Sequence, residues 1–573
     1  MSFYQINLAV FAAGNGYMLY RQYKRQEQEV LDELKQEAAG VEEADGNEDI
    51  ELRHLLAEPA ESQAAIRQFR LDFFPVYALA MAADWLQGPH IYAIYKYEKN
   101  IPEKIVAALY AAGFVSGAMS ASFAGELADR YGRRLACIAY CVTYILTCLT
   151  MLTDDLFILF VGRFCGGIST TLLYSVFEAW MITEYNQRGL SRTTLKLGSI
   201  FGNMTTVSSI VAILSGVVGD VLVSALGGRV WPFMASVACS TLAMFLISRR
   251  WKENYGTKQA GPATSSLADV KTGIRMIVGD RRILSLGLTS TFFEGAMYLF
   301  VFFWSAALKS ARTRSGSDEE LPFGLIFSSF MCAMMAGSAF YSLYSKAHTK
   351  ETTSNILMIV VLLVSCCLSA AVLIDSEKLL FWALCMVEAS IGAYFPSMSF
   401  LKSQVVEDGV RARVYSLLRL PLNVFVVVAH SLDEEGDGHR NNVFMTCAAL
   451  LMVSFFIVKR TFAPDARGAD WRAGGLGTGY QDVDGRQGRR QDAKKQQQQQ
   501  QQHADGQKQL HQMLHHDKGP AVAGSDTGLD DGDNATCDSQ KGLTFGDSIM
   551  LPQTQTNEAT NTIKTTGGNG SGG

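Results

Sequence analysis

Six ionisable side chains stand inside otherwise apolar stretches of this 573-residue chain: Asp84, Arg163, Glu178, Glu294, Glu388 and Arg419. Placing a charge in hydrocarbon costs about 3 kcal/mol or more, so each needs a partner, a water-filled cavity or a charged solute. A carboxyl there can carry a proton or pair with a cation. A guanidinium presents a planar fork of donors that matches an oxyanion. Asp84, in ADWLQGPH, lies about thirteen residues, roughly 20 Å of helix, into its apolar run. Glu294 lies at nearly the same depth in the segment that opens the second half of the chain, and Glu178 and Glu388 each fall in the fourth segment of a half. Gln87, His90, Ser169, Thr170, Thr171, Ser175 and Asn203 add neutral polar groups at similar depths. Gly88-Pro89 is expected to interrupt the helix just beyond Asp84, because proline has no N–H and its ring clashes with the preceding turn.

These residues need long helices to position them. Apolar segments, each long enough for one crossing, fall near 3–20, 71–96, 104–128, 134–152, 155–182, 196–224, 229–248, 283–308, 322–344, 354–375, 378–401, 412–430 and 442–459. Their small residues (GGISTT, SSIVAILSG, MAGSAF) suit close helix packing in lipid. The fold class expected is an all-α polytopic membrane protein. The organisation is an extra N-terminal helix (1–20), an acidic cytoplasmic linker (21–70), a six-helix bundle (71–248), a central cytoplasmic loop (249–282), a second six-helix bundle (283–460) and a disordered polar tail with polyglutamine (461–573). One alternating set of connections carries roughly 28 Lys and Arg and the opposite set roughly 9, which makes the first set cytoplasmic. The first segment lacks a basic leader and is followed by RQYKRQ, so it is expected to be a retained anchor with its N-terminus outside.

A net charge of -5 offers no basic surface for nucleic acid. Ten of the eleven cysteines lie in or beside apolar runs without metal-ligand or disulfide spacing, and they read as small core residues. The tail cannot bury enough apolar surface to fold. No nucleophile triad, phosphate loop or metal-ligand cluster stands out, so neither an enzyme nor a resident cofactor or metal is expected.

The loop GELADRYGRR orders its residues more tightly than a merely basic cytoplasmic loop requires. Gly125 permits close helix contact, Asp129 can accept bonds from a neighbouring helix N-terminus, and Arg130, Arg133 and Arg134 flank Gly132 with cytoplasmic charge. The string resembles the G-x-L-A-D-R-x-G-R-R loop of the major facilitator superfamily, which occupies the same connection. GRFCGG, with Arg163 ahead of Gly166 and Gly167, resembles that superfamily's fourth-helix motif. The first resemblance implies a conformational latch of Gly125, Asp129, Arg130, Gly132, Arg133 and Arg134, which breaks and reforms as two halves rock.

A narrower resemblance follows from MAADWLQGPHIY, VGRFCGGISTTLLYSVFEAW, RRWKENYG, FFEGAMYLFVFFW, YFPSMSFL and LLRLPLN. Together these are similar to the molybdate-anion transporter family, a branch of the major facilitator superfamily with an extra N-terminal helix. The resemblance covers roughly residues 1–460. It implies uptake of molybdate across the cell membrane by alternating access. From the residues themselves, Arg163, Arg419 and Gln87 are the substrate-binding candidates; Asp84, Glu178, Glu294 and Glu388 are ion-pair partners or carriers of a coupling proton. Membrane lipid is the remaining expected partner. Two rivals stand beside this reading: a facilitator for another solute such as a sugar or organic anion, and a non-transporting receptor or scaffold acting through its tail.

Overall fold

The computed structural model describes residues 2–39, 60–121, 123–193, 195–256, 267–317, 319–344, 350–406, 411–432, 434 and 436–462. The polar tail beyond residue 462, residues 40–59 of the acidic linker and part of the central loop therefore lie outside the described residues. The described chain is helical and has no strand. Its elements are α1 (Phe3–Ala39), α2 (Ala60–Gln87), α3 (Glu103–Ala121), α4 (Ala124–Tyr131), α5 (Arg133–Leu149), α6 (Leu156–Gln187), α7 (Leu197–Leu226) and α8 (Trp231–Arg250). They continue with α9 (Leu267–Gly279), α10 (Arg281–Arg314), α11 (Phe323–Tyr344), α12 (Lys350–Leu373), α13 (Glu377–Val405), α14 (Arg411–Ser431) and α15 (Asp437–Phe462).

Each expected apolar segment falls on a helix, and 10 helices among the described residues are long and apolar enough to cross a membrane. The three others are α1, α2 and α14. Helix α1 runs on into charged sequence, and α2 carries Asp72 and Asp84 and stops at Gln87. The apolar part of α14 is only Leu417–Ser431, because its first turn holds Arg411 and Arg413. The expected interruption after Asp84 is present: Gly88–His90 is a 3-10 turn, followed by a short α turn and a π turn over Ile94–Glu98. Helix α9 was not expected. Its Ile277 packs with Ile283, Val406, Val414 and Leu418 in a small apolar cluster of its own.

Neighbour relations, more than hydropathy, reveal a repeat. In the first set, α3 packs on α6, α5 on α6 and α8, and α2 on α7 and α8. In the second set, α11 packs on α13, α12 on α13 and α15, and α10 on α14 and α15, which is the same order. The sets meet where α7 crosses α11 and where α14 crosses α3, two contacts that the repeat makes equivalent. Small residues bring the backbones together at the first crossing. A Cβ on Gly216 would stand 2.6 Å from the Gly324 carbonyl oxygen, and one on Gly324 would stand 2.2 Å from that of Gly216. Helix α1 lies outside both sets, against α11.

Candidate functional site

Asp84 sits on α2 where α5 and α6 approach. The Tyr144 hydroxyl donates to its Oδ1 at 3.1 Å and the Tyr174 hydroxyl to its Oδ2 at 3.3 Å. Gln87, one turn on, donates its amide to the Tyr144 phenol oxygen, so a chain runs from Gln87 through Tyr144 to Asp84. Tyr140 fastens the same helices by donating to the Ala80 carbonyl at 2.9 Å. Among the described residues Asp84 has no ion pair. Glu178, one turn beyond Tyr174, lies within electrostatic reach of Tyr77, whose buried hydroxyl has no hydrogen-bond partner among the described residues.

The second set repeats this arrangement with a different charge. Glu294 on α10 accepts from the Tyr394 hydroxyl of α13 at 3.1 Å, and the Tyr394 ring stacks on Phe293 at 3.8 Å. First helix and fourth helix thus supply an acid and a tyrosine in both sets. The charge nearby differs, however: Lys402 lies within electrostatic reach of both Glu294 and Arg419, and Tyr298 within reach of the same two groups. Lys402 extends over the Tyr415 ring at 6.0 Å, and Tyr415 is one turn from Arg419 on α14. Lys402 is absent from the expected site because its position near a helix end reads as loop charge. The structure instead carries α13 on to Val405.

Glu178 and Glu388 share a helix position in the repeat but not a depth. Measured from the paired tyrosines, Glu178 lies four residues past Tyr174 and Glu388 six residues before Tyr394, a difference of about 15 Å in helical rise. Glu388 is buried, and its Oε2 has no hydrogen-bond partner among the described residues.

Arg163 occupies another environment. Its Nε donates to the Leu109 carbonyl at a long 3.4 Å, and its guanidinium lies over the Tyr110 ring at 5.1 Å. Gly113 opens the space it fills, since a Cβ there would stand 3.0 Å from Nη2. Among the described residues Arg163 has no carboxylate partner. Nearby are the buried Tyr95 hydroxyl and the His430 ring, parallel to Tyr110 at 6.4 Å; among the described residues neither that hydroxyl nor His430 Nε2 has a hydrogen-bond partner. Arg163 and Arg419 are not brought together. Arg163 lies about 10 Å along α6 from its start, and Arg419 about 12 Å along α14 from its start at the opposite end of the bundle.

The GELADRYGRR loop defines that opposite end. Asp129 accepts from Arg133 Nε at 2.8 Å and forms an ion pair with its Nη2 at 2.7 Å. Arg133 also donates to the Ala179 carbonyl at 2.9 Å and to the Thr183 hydroxyl. The helix N-terminus at this loop is capped by Glu253, which accepts from the backbone N–H of Arg134 at 2.8 Å and of Leu135 at 3.2 Å. Two expectations change here. In this conformation Asp129 is held by the Arg133 fork, not by a neighbouring helix N-terminus, and Gly125 makes no close contact, since nothing lies within 4 Å of a Cβ built there. Gly132 is the constrained glycine, with φ 115° and Glu253 only 2.5 Å from a Cβ. Arg134 donates to the Ser248 carbonyl at 2.9 Å, and Arg130 lies over the Tyr131 ring. All these partners belong to the first set and the segment that follows α8.

A family profile described as sugar transporters with 12 membrane spans matches residues 48–389. A molybdate-anion transporter of Xenopus tropicalis is 32% identical over 414 residues, covering 70% of this chain and 88% of that protein. One of Danio rerio is 30% identical over 461 residues, covering 73% and 92%. Among solved structures, the nucleoside transporter NupG aligns with a TM-score of 0.52 at 13% identity over 70% of this chain and 100% of its own. A bacterial homolog of the human lysosomal transporter Spinster, in an inward-facing and unoccupied conformation, aligns with a TM-score of 0.51 at 14% identity over 71% and 98%. At these identities the structural likeness establishes the fold alone.

Proposed function

The chain belongs to the molybdate-anion transporter family of the major facilitator superfamily, and from that premise we propose that it takes up molybdate across the cell membrane by alternating access. It is a carrier, not an enzyme. The observation that carries the substrate reading is Arg163, a guanidinium in a membrane-spanning helix with a backbone carbonyl and an aromatic face for company and no carboxylate among the described residues. A dianionic oxyanion supplies what that environment lacks, and an Arg fork with neutral donors is the chemistry that holds one.

The two arginines then serve in succession. Arg163 meets the anion near the end of the bundle away from the GELADRYGRR loop, and Arg419 with Lys402 receives it nearer the loop. Gln87 contributes an amide beside the path. Asp84, Glu178, Glu294 and Glu388 are the acids for a coupling proton or for balancing the cations, with Glu294 in the second role because it shares the electrostatic surroundings of Lys402 with Arg419. The topology that fits the basic-residue count has six crossings in each set and α1 as a further crossing. The N-terminus is then outside, and the GELADRYGRR loop and the tail are cytoplasmic. The loop residues from Gly125 to Arg134 act as the latch between conformations.

Radioactive molybdate accumulation in transport-deficient cells tests the reading. Arg163→Ala at matched surface expression is expected to lower uptake at limiting molybdate by about tenfold or more, the scale of a lost charge-assisted contact. Unchanged uptake would remove Arg163 from the path. The family profile's description keeps sugars as the second substrate class. Tungstate should compete with molybdate and sugars should not; competition by a sugar reverses the choice.

A further inference from the structure

The extra helix α1 has no task in the transport reading above, yet its first turn ends in a chain of polar contacts that crosses the whole molecule. Tyr4 is buried, packs edge-on against Phe381 at 5.2 Å, and donates its hydroxyl to Glu377 Oε1 at the start of α13. The other oxygen of Glu377 accepts from Arg312 Nε at 3.1 Å, near the end of α10. Arg312 Nη1 in turn donates to the carbonyls of Glu320 at 2.9 Å and Glu319 at 3.3 Å, in the connection between α10 and α11. The Glu320 carboxylate then accepts from Arg229 Nη2 at 2.8 Å. Arg229 lies in the connection between α7 and α8, in the first set, and its backbone N–H donates to Glu98 at 3.1 Å. Every link stands at the end of the bundle away from the GELADRYGRR loop.

We propose that α1 is a positioning element for the gate at this end: through Glu377 and Arg312 it holds Glu320 where Arg229 can close the two sets together. The gate has a second tie close by. Lys309 Nζ of the second set sits over the Tyr97 ring of the first at 3.7 Å, and Tyr97 stacks on Phe323 at 6.4 Å. The Glu320 side chain is 75% exposed, and an exposed ion pair of mobile side chains contributes little because ordering it offsets most of the attraction. Arg312 changes that by fixing the backbone that carries Glu320. Glu377 keeps Arg312 in place, and the Tyr4 hydroxyl keeps Glu377. Farther along, Asn15 donates to the Cys332 carbonyl at 2.9 Å, which fixes α1 against α11. Docking of α1 therefore biases the carrier toward closure at this end. This device rests on the alternating-access reading but does not depend on which solute is carried.

The test is read without substrate. Phe302 packs between the sets at this end, against Tyr92, Tyr110 and His430, so a cysteine there is reached from outside only when the gate opens. In Phe302→Cys cells, labelling by a membrane-impermeant maleimide should accelerate about twofold to fivefold on adding Tyr4→Phe or Glu377→Gln, the range for losing one modest tie in a two-state equilibrium. A similar gain is expected from Glu320→Gln, and exchange of the pair as Arg229→Glu with Glu320→Arg should reverse it. Labelling unchanged by both Tyr4→Phe and Glu377→Gln at normal surface expression overturns the role of α1. Should a variant fail to reach the surface, the gate is tested without it. A short bis-maleimide joining Arg229→Cys to Glu320→Cys should arrest uptake, compared with the parent chain treated alike. Uptake that continues through the joined pair overturns the gate. A chain that shows the labelling shifts but takes up no molybdate keeps the gate and loses only the solute.

Discussion

The two halves hold their first-helix acid with the same device and surround it with opposite electrostatics. Asp84 accepts from two phenols, Tyr144 and Tyr174, and meets no cation among the described residues. Glu294 accepts from one phenol, Tyr394, and lies with Arg419 within electrostatic reach of Lys402. Tyr174 and Tyr394 come from corresponding helices, so the repeat has kept the acid and its tyrosine while the charge around them has diverged. A carboxyl whose partners are neutral hydroxyls can gain and lose a proton without stranding a buried cation. A carboxyl beside two cations cannot, since its protonation would leave both uncompensated. On the proposed reading Asp84 is therefore the acid suited to a proton, and Glu294 the acid suited to balancing cations.

The strongest way to break this contrast is to remove the cations. Arg419→Ala and Lys402→Ala are each expected to raise the apparent KM for molybdate by about tenfold or more, on the scale of a charge-assisted contact to a dianion. Uptake kinetics at matched surface expression measure it. If Lys402→Ala leaves KM untouched, the anion is held by Arg419 alone and the second half has no two-cation station.

A smaller effect separates the acids. Taking the outside as the proton source, uptake by the parent chain should rise as external pH falls. Asp84→Asn should flatten that dependence and slow uptake severalfold, because an amide cannot deliver a proton. Glu294→Gln should keep the pH dependence and lower KM, because it leaves the cation pair with one competitor fewer. Exchange of these outcomes between the two variants would reverse the assignment of the halves.

The sequence carries part of this contrast and hides the rest for identifiable reasons. Asp84 and Glu294 stand out because an acid in a long apolar run has few bland explanations, and their shared depth is visible from segment spacing alone. Their phenols are not visible, because Tyr144, Tyr174 and Tyr394 arrive from helices 60, 90 and 100 residues away and read as ordinary apolar packing. Lys402 is lost for a different reason. A lysine eight residues after a tyrosine near a segment end looks like loop charge until the helix is seen to continue past it. Arg163 and Arg419 are legible as intramembrane cations, but the Leu109 carbonyl and Tyr110 ring beside the first and Lys402 near the second come from other helices and are not. Helix α9 is amphipathic over Leu267–Gly279, and a basic loop masked its apolar face.

The weakest perturbations belong to the latch, and they sharpen the contrast because all its partners in this conformation lie with the first half. Asp129→Asn should slow turnover by about twofold to fivefold at nearly unchanged KM, as expected for one exposed pair that affects the conformational step and not the solute. The glycines of the same loop should then divide. Gly132→Ala forces a side chain onto φ 115° and into Glu253, whose carboxylate caps α5, so surface expression should fall. Gly125→Ala meets open space and replaces a helical glycine, so expression and initial uptake should stay within experimental scatter. A clear slowing of uptake by Gly125→Ala at normal expression would mean that the close contact forms in the other conformation, where α4 packs against a helix it does not touch here.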